Sequence, residues 1–287
     1  MESLQNKVAV ITGGSSGIGC ATAHALAQRG ARIVIADIDS AGADAVAADI
    51  TRSGGQAAGV RCDVGAEAAF DELKGFTLDR FGQVDVVMNN VGVLTSGLPD
   101  HLPVQEWQRI ININLFSVVR SNTAFMPLLI EQGHGHIVNT ASFAGLFTYA
   151  YDRLPYAASK ASIVQISEGL RIYLHPQGVG VTVLCPGPVK TNISVGLPRT
   201  FGPEPGIRGP GAQFALLEPD VVGEQVAQAI LDDTFMLYTH EQVRDTLVER
   251  ASDWNAFIAK QTDTIANTPA LMQADLLKMA AEAESRD

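Results

Sequence analysis

Cysteine is scarce in this sequence: Cys20, Cys62 and Cys185 stand far apart and form no CxxC pair. That spacing argues against a disulfide scaffold or a thiolate metal site, and a free cysteine otherwise packs as a small hydrophobe. The histidines, His24, His101, His134, His136, His175 and His240, show no HExxH or comparable pattern, so no metal centre is expected. Positive charge is also in short supply. Lys and Arg number 20 against 31 Asp and Glu, and the net charge of −11 offers no basic field to nucleic acid or an anionic membrane. The expected partner is a small molecule. No uninterrupted apolar run has membrane-spanning length, and the opening residues MESLQNK lack the basic and apolar regions of a signal peptide. A cytoplasmic location is therefore expected. Repeats of solenoid or propeller period are absent as well.

What is present is enough apolar bulk for one large core, 46% of 287 residues. Short β-rich runs at 7–12, 32–37, 57–64, 84–89, 136–141, 179–185 and 235–239 alternate with longer segments of helical spacing, including 17–28, 66–81, 104–129 and 156–174. The pattern predicts an α/β fold: a single-domain, Rossmann-type, doubly wound parallel sheet of about seven strands with helices on both faces. One domain is expected over 1–287. Its alternation breaks at 196–211, GLPRTFGPEPGIRGPG, which is too rich in Gly and Pro for a helix or strand interior. Helical periodicity resumes at 218–231 and 241–260, so the stretch is internal to the domain. We expect 192–215 to be a flexible substrate lid and 216–287 a helical extension of the same domain. The charged last residues, 280–287, are expected to fray.

The first strand runs into Thr12-Gly13-Gly14-Ser15-Ser16-Gly17-Ile18-Gly19, followed by a helix. Glycines there permit positive φ, let the backbone approach a pyrophosphate and let the helix lie close to the sheet. The helix N-terminus supplies unpaired N–H groups and a favourable dipole. A plain strand-to-helix turn would also use such glycines, but the acid that follows strengthens the nucleotide reading. Asp37 ends the second strand, where a carboxylate can accept hydrogen bonds from the adenosine ribose and repel a 2′-phosphate. Neither Ile38 nor Ser16 supplies a cation beside it, so NAD is favoured over NADP.

The TGxxxGxG spacing resembles that of the classical short-chain dehydrogenase/reductase family, and further landmarks follow in order: Asp63 in Cys62-Asp63-Val64, Asn89-Asn90-Val91-Gly92, Asn114, Ser142, Tyr156-Ala157-Ala158-Ser159-Lys160, Pro186-Gly187 and Thr191. Val91 departs from the family's usual Ala. The resemblance implies a catalytic tetrad of Asn114, Ser142, Tyr156 and Lys160, with Asn114 holding a water on the proton path. It also implies NAD contacts from Gly13, Ser15, Ser16, Gly17, Ile18, Gly19, Asp37, Ile38, Asp63, Val64, Asn90, Gly92, Tyr156, Lys160, Pro186, Gly187, Val189 and Thr191. Asp63 would meet the adenine amine and Thr191 the nicotinamide carboxamide. Members commonly form tetramers through the helices corresponding to 104–129 and 156–174, so a homo-oligomer, tetramer or dimer, is expected.

Chemistry gives the tetrad independent sense. Tyr156 and Lys160, four residues apart on a helix opened by Pro155, project from one face. A phenol near pKa 10 needs a neighbouring cation to serve as a base at neutral pH, and an ammonium supplies one. Ser142 follows an apolar strand, where its hydroxyl can donate to a substrate oxygen. Singly, such residues are ordinary surface, strand-end or capping groups; together, behind a nucleotide turn, they point to oxidation of a secondary alcohol or reduction of the ketone. Epimerases that use a YxxxK pair usually carry a different glycine turn and a large C-terminal substrate domain. A non-catalytic dinucleotide sensor would typically lack one of the four residues. For the substrate, Phe143, Phe147, Tyr149, Tyr151, Leu197 and Phe201 are expected to line an apolar, aromatic pocket. The segments HIVNTASFAG and GVGVTVLCPGPVKTNI resemble a subgroup acting on bulky aromatic or hydrophobic secondary alcohols, including benzylic ones; a sugar or polyol is the alternative.

Overall fold

The computed structural model describes residues 1–193, 200–203 and 208–267. Among them the main sheet has seven parallel strands: β1 Val8–Thr12, β2 Arg32–Asp37, β3 Gln56–Arg61, β4 Val86–Asn89, β5 Gly135–Thr140, β6 Val179–Cys185 and β7 Met236–Tyr238, in the order β3-β2-β1-β4-β5-β6-β7. The helices are α1 Gly17–Gln28, α2 Ser40–Arg52, α3 Ala69–Phe81, α4 Val104–Ile111, α5 Ser117–Gln132, α6 Leu154–Leu174, α7 Pro219–Leu231, α8 Val243–Ser252 and α9 Trp254–Asn267. Every residue of β1 is buried, as expected of a strand covered on both faces. Alternate side chains divide between two cores. Ala9, Ile11, Ile33, Ile35 and Met88 join Leu26, Val46, Val222 and Val226 of α1, α2 and α7. Val10, Val34, Val87 and Ile137 join Phe70, Leu73, Phe125, Leu129 and Leu174 of α3, α5 and α6.

β1 pairs with both β2 and β4, so the strand order reverses beside it. At such a switch point the loops after the strands diverge and leave a crevice at their carboxyl ends.

Several boundaries differ from the sequence expectation. The third strand stops at Arg61 rather than 64, because Cys62, Asp63 and Val64 turn from the sheet into the crevice. The alanine-rich α2 carries only two larger buried apolar residues, Val46 and Ile50, to mark its periodicity. The helical segment expected over 241–260 breaks at Asp253, whose carboxylate accepts from the Ala256 N–H and caps α9. α4 and α5 are joined by a π-helical turn, Asn112–Phe116, into one run, Val104–Gln132, long enough to cross a membrane and containing an 18-residue stretch of mean hydropathy 1.3. Its Ile110, Asn114, Val118, Phe125 and Leu129 are buried within the fold, whereas Arg120 lies on the other side, over the Phe116 ring.

Some of the described residues of 192–215 are tied into the fold. Thr200–Phe201 pairs in parallel with Ser96–Gly97, and Phe214 is buried with its ring 5.1 Å from that of Phe143. The stretch expected to be lid therefore ends in the core. Within it, 194–199 and 204–207 lie outside the described residues, as do the terminal residues from 268 onward.

Candidate active site

The crevice is a cleft of about 560 Å³. At one end, Gly13 and Gly17 take φ of +64° and +53°, conformations that favour glycine. A Cβ on Gly19 would lie 2.2 Å from the Gly13 carbonyl oxygen, so only glycine permits that close approach. Gly19 therefore shapes the turn from behind rather than lining the cleft. Ser16 is the N-cap of α1, but its side chain caps nothing, leaving the first N–H groups of the helix available to an anion. Asp37 accepts from the Ser15 N–H at 3.1 Å and Ser15 Oγ at 2.7 Å, and so holds the glycine turn as well as facing the cleft. Asp63 accepts from the Gly65 N–H at 3.0 Å, while Asn90 Nδ2 donates to the Gly13 carbonyl at 3.2 Å. These residues, with Ile18, Ile38, Val64, Gly92, Pro186, Gly187, Val189 and Thr191, line the cleft. A flexible-backbone turn, an uncapped helix start and a carboxylate at the next strand end fit a dinucleotide: pyrophosphate at α1 and ribose at Asp37.

The other end gathers Ser142, Tyr156 and Lys160. Lys160 is buried on α6, where its Nζ donates to the Thr140 carbonyl at 2.8 Å and lies 5.7 Å from the centre of the Tyr156 ring. Burial lowers its pKa to about 8. Tyr156 is buried too, which pushes its phenol up to about 12, and a hydrogen bond with Ser142 pulls in the opposite direction. Ser142 Oγ also accepts from the Ala144 N–H at 3.2 Å, which fixes the serine at the start of a one-turn helix, Phe143–Gly145.

Asn114 occupies the π-helical turn and is fully buried. It does not line the cleft. Its Nδ2 donates to the Val93 carbonyl at 3.0 Å and to Ser159 Oγ at 3.2 Å, and its Oδ1 accepts from the Val93 N–H at 2.8 Å. Both donor hydrogens of its amide are thus used within the protein, so the side chain anchors the Val93 loop rather than donating to a water. Ser159 in turn donates to the Tyr156 carbonyl at 2.7 Å. The sequence names Ser159 only as part of a motif; this connection between α6 and the π-helical turn was not visible there.

The expected substrate pocket requires correction. Phe143, within the one-turn helix, and Phe147, just after it, are core residues packed with Phe214, Tyr149 and Phe257. Tyr151 is exposed beneath the Arg208 guanidinium, and Phe201 is held by its short strand pairing; neither lines the cleft. Leu197 lies outside the described residues. Of the expected set only Tyr149 lines the cleft, joined by Val93, Leu94, Arg153, Ile193, Arg208 and Pro210. Arg153, three residues before Tyr156, is legible in the sequence as a cation near the pocket; nothing local marked Val93 or Arg208.

Residues 7–200 match the profile of the short chain dehydrogenase family. The chain is 34% identical over 253 residues to 1-deoxy-11-beta-hydroxypentalenate dehydrogenase of Streptomyces exfoliatus, covering 87% of this chain and 89% of that one. It is 34% identical over 227 residues to cis-4-hydroxycyclohexanecarboxylate dehydrogenase of Sinomonas cyclohexanicum, covering 79% and 90%. Its fold matches a short chain dehydrogenase/reductase from Burkholderia phymatum in complex with NAD, with a TM-score of 0.78, 29% identity and coverage of 89% and 96%. The protein belongs to the short chain dehydrogenase family, as an oxidoreductase that works with a nicotinamide dinucleotide on a small-molecule substrate.

Proposed function

We propose that the protein oxidises a bulky hydrophobic secondary alcohol to its ketone with NAD, or catalyses the reverse. The observation that carries this reading is the convergence of Ser142, Tyr156 and Lys160 at one end of a cleft whose other end suits a dinucleotide. The cofactor supplies the hydride acceptor or donor. Ser142 and Tyr156 hold the carbinol oxygen, and Tyr156 takes its proton during oxidation or returns it during reduction. Lys160 stabilises the phenolate that this requires, each unit of pKa depression corresponding to about 1.4 kcal/mol. Asn114 positions this assembly through Val93 and Ser159. Because burial holds the Tyr156 proton tightly, oxidation should accelerate as pH rises.

NAD is favoured over NADP because Asp37 faces the cleft without a lining cation beside it. Val93, Leu94, Ile193, Pro210 and Tyr149 support a hydrophobic substrate, and the relatives named for hydroxypentalenate and hydroxycyclohexanecarboxylate support an alicyclic alcohol as readily as an aryl one. We further propose that residues 208–213 form the moving part of the lid, that the single domain continues through the C-terminal helices, and that the protein acts in the cytoplasm. Exposed Val119, Ile172 and Tyr173 on α5 and α6 support a homo-oligomer, dimer or tetramer. A panel of aryl, alicyclic and polyol alcohols assayed with NAD and NADP tests the reading. Hydrophobic secondary alcohols should be turned over best with NAD; a higher kcat/KM for short polyols or sugars would defeat the substrate assignment.

A further inference from the structure

We infer, on the alcohol dehydrogenase reading above, that the substrate carries a carboxylate away from its reacting carbinol and that Arg208, braced beside the Arg153–Asp152 pair, receives it. Both arginines line the same cleft as Ser142 and Tyr156. Arg153 is buried, and the Arg208 side chain is only 16% exposed. Removing guanidinium groups from water is costly unless each is paired. Here two converge on one carboxylate.

That carboxylate is Asp152, itself buried. Arg153 Nε donates to Asp152 Oδ1 at 2.7 Å, while an Arg208 terminal nitrogen lies 3.8 Å from Oδ2, beyond hydrogen-bond distance. The two arginines also meet through an uncharged acceptor: an Arg153 terminal nitrogen donates to the Arg208 carbonyl at 2.7 Å. Arg208 Nε is buried and has no hydrogen-bond partner among the described residues. The three side chains therefore carry one excess positive charge. Asp37 and Asp63, the acidic residues lining the cleft among those described, are at the adenosine end and do not offset it.

The geometry suits an anion with planar oxygens. Arg153 lies 5.5 Å from the Tyr149 ring centre and Arg208 4.9 Å from that of Tyr151, so the two guanidinium groups rest against aromatic faces. A guanidinium fork held in this way matches a carboxylate better than a hydroxyl or an ester. Asp152 accounts for Arg153 as a strut at the start of α6; it does not account for a second cation with an unused buried donor. The apolar wall and the arginine pair together describe a hydrophobic hydroxy acid.

Isothermal titration of the enzyme–NADH complex with cyclohexanecarboxylate and with its methyl ester tests the site without requiring turnover. The acid should bind roughly tenfold tighter or more. Arg208→Gln should bring the two within about twofold, since Asp152 keeps Arg153 and the fold is retained; Arg208→Lys should recover part of the preference. Equal binding of acid and ester by the unmodified enzyme overturns the inference, as does an undiminished acid preference in Arg208→Gln. Oxidation of 4-hydroxycyclohexanecarboxylate and its methyl ester with NAD separates this inference from the reading beneath it. Preferential acid binding without oxidation of any alcohol would defeat the dehydrogenase reading and leave the anion site; oxidation without acid preference would do the reverse.

Discussion

At the cofactor end of the cleft, Gly13, Asp37 and Asn90 lie directly at the ends of neighbouring strands, whereas at the substrate end Tyr149 and Arg153 come from the β5–α6 connection and Ile193 and Arg208 from the long β6–α7 connection. The first end is built largely from backbone: two positive-φ glycines, an uncapped helix start and a turn held by the Asp37 and Asn90 side chains. The second is built from side chains whose neighbours are distant in the chain. Backbone requirements restrict residue type strongly, so the cofactor end tolerates little change. Side-chain walls can be rebuilt, which is where a fold shared by many dehydrogenases can vary its substrate.

Removing the phenolic hydroxyl should separate the two ends most sharply. Tyr156→Phe is expected to lower turnover by roughly a hundredfold or more while changing NADH affinity less than about twofold, because proton transfer is lost and the dinucleotide end is untouched. Steady-state kinetics with a fluorescence titration of NADH check this. Near-normal turnover would remove Tyr156 from the assignment.

The converse change should act at the other end. Gly19→Ala places a methyl group against the Gly13 carbonyl, and forcing extra atoms into packed structure costs roughly 1–3 kcal/mol. NADH affinity should fall by about tenfold or more, whereas kcat at saturating cofactor should change far less. An unchanged dissociation constant would show that the close approach is not required for binding.

Asp37→Ala is a smaller intervention. Relieving repulsion without creating a phosphate clamp should reduce the NAD-to-NADP ratio of kcat/KM by about tenfold, and NAD binding should weaken somewhat because Ser15 loses its acceptor. Equal use of both cofactors by the unmodified enzyme would contradict the role given to Asp37. The smallest expected effect concerns the proposed lid. Amide exchange at Gly209, Gly211 and Gln213 should slow several-fold when NADH and a ketone are bound, with little change at the Val10 or Val34 amides. Protection unaffected by ligands would make the segment an ordinary loop.

The same comparison explains what could be read in advance. The strand run 179–185 emerged with its boundaries intact because it is a short apolar β-rich segment between turn signals, and the cofactor turn was visible because glycine is demanded there. Phe143 and Phe147 misled because an aromatic residue next to Ser142 can point either toward a ligand or into the core. Its direction depends on the one-turn helix that Ser142 starts and on Phe214 and Phe257, which arrive from far along the chain. For Asn114 the position was legible but not its side-chain partners, Val93 and Ser159, which depend on a π-helical turn that has no plain periodic signature. Arg208 sits in a Gly/Pro-rich stretch where composition says loop and nothing more.

Hydride origin is the most direct test of the central claim. The enzyme, incubated with NAD and a hydrophobic secondary alcohol deuterated at its carbinol carbon, should yield ketone and deuterated NADH in equal amounts, releasing the hydroxyl proton to solvent and leaving the label on the cofactor. Failure to form reduced cofactor with any secondary alcohol in the panel, while NADH still binds, would contradict the account.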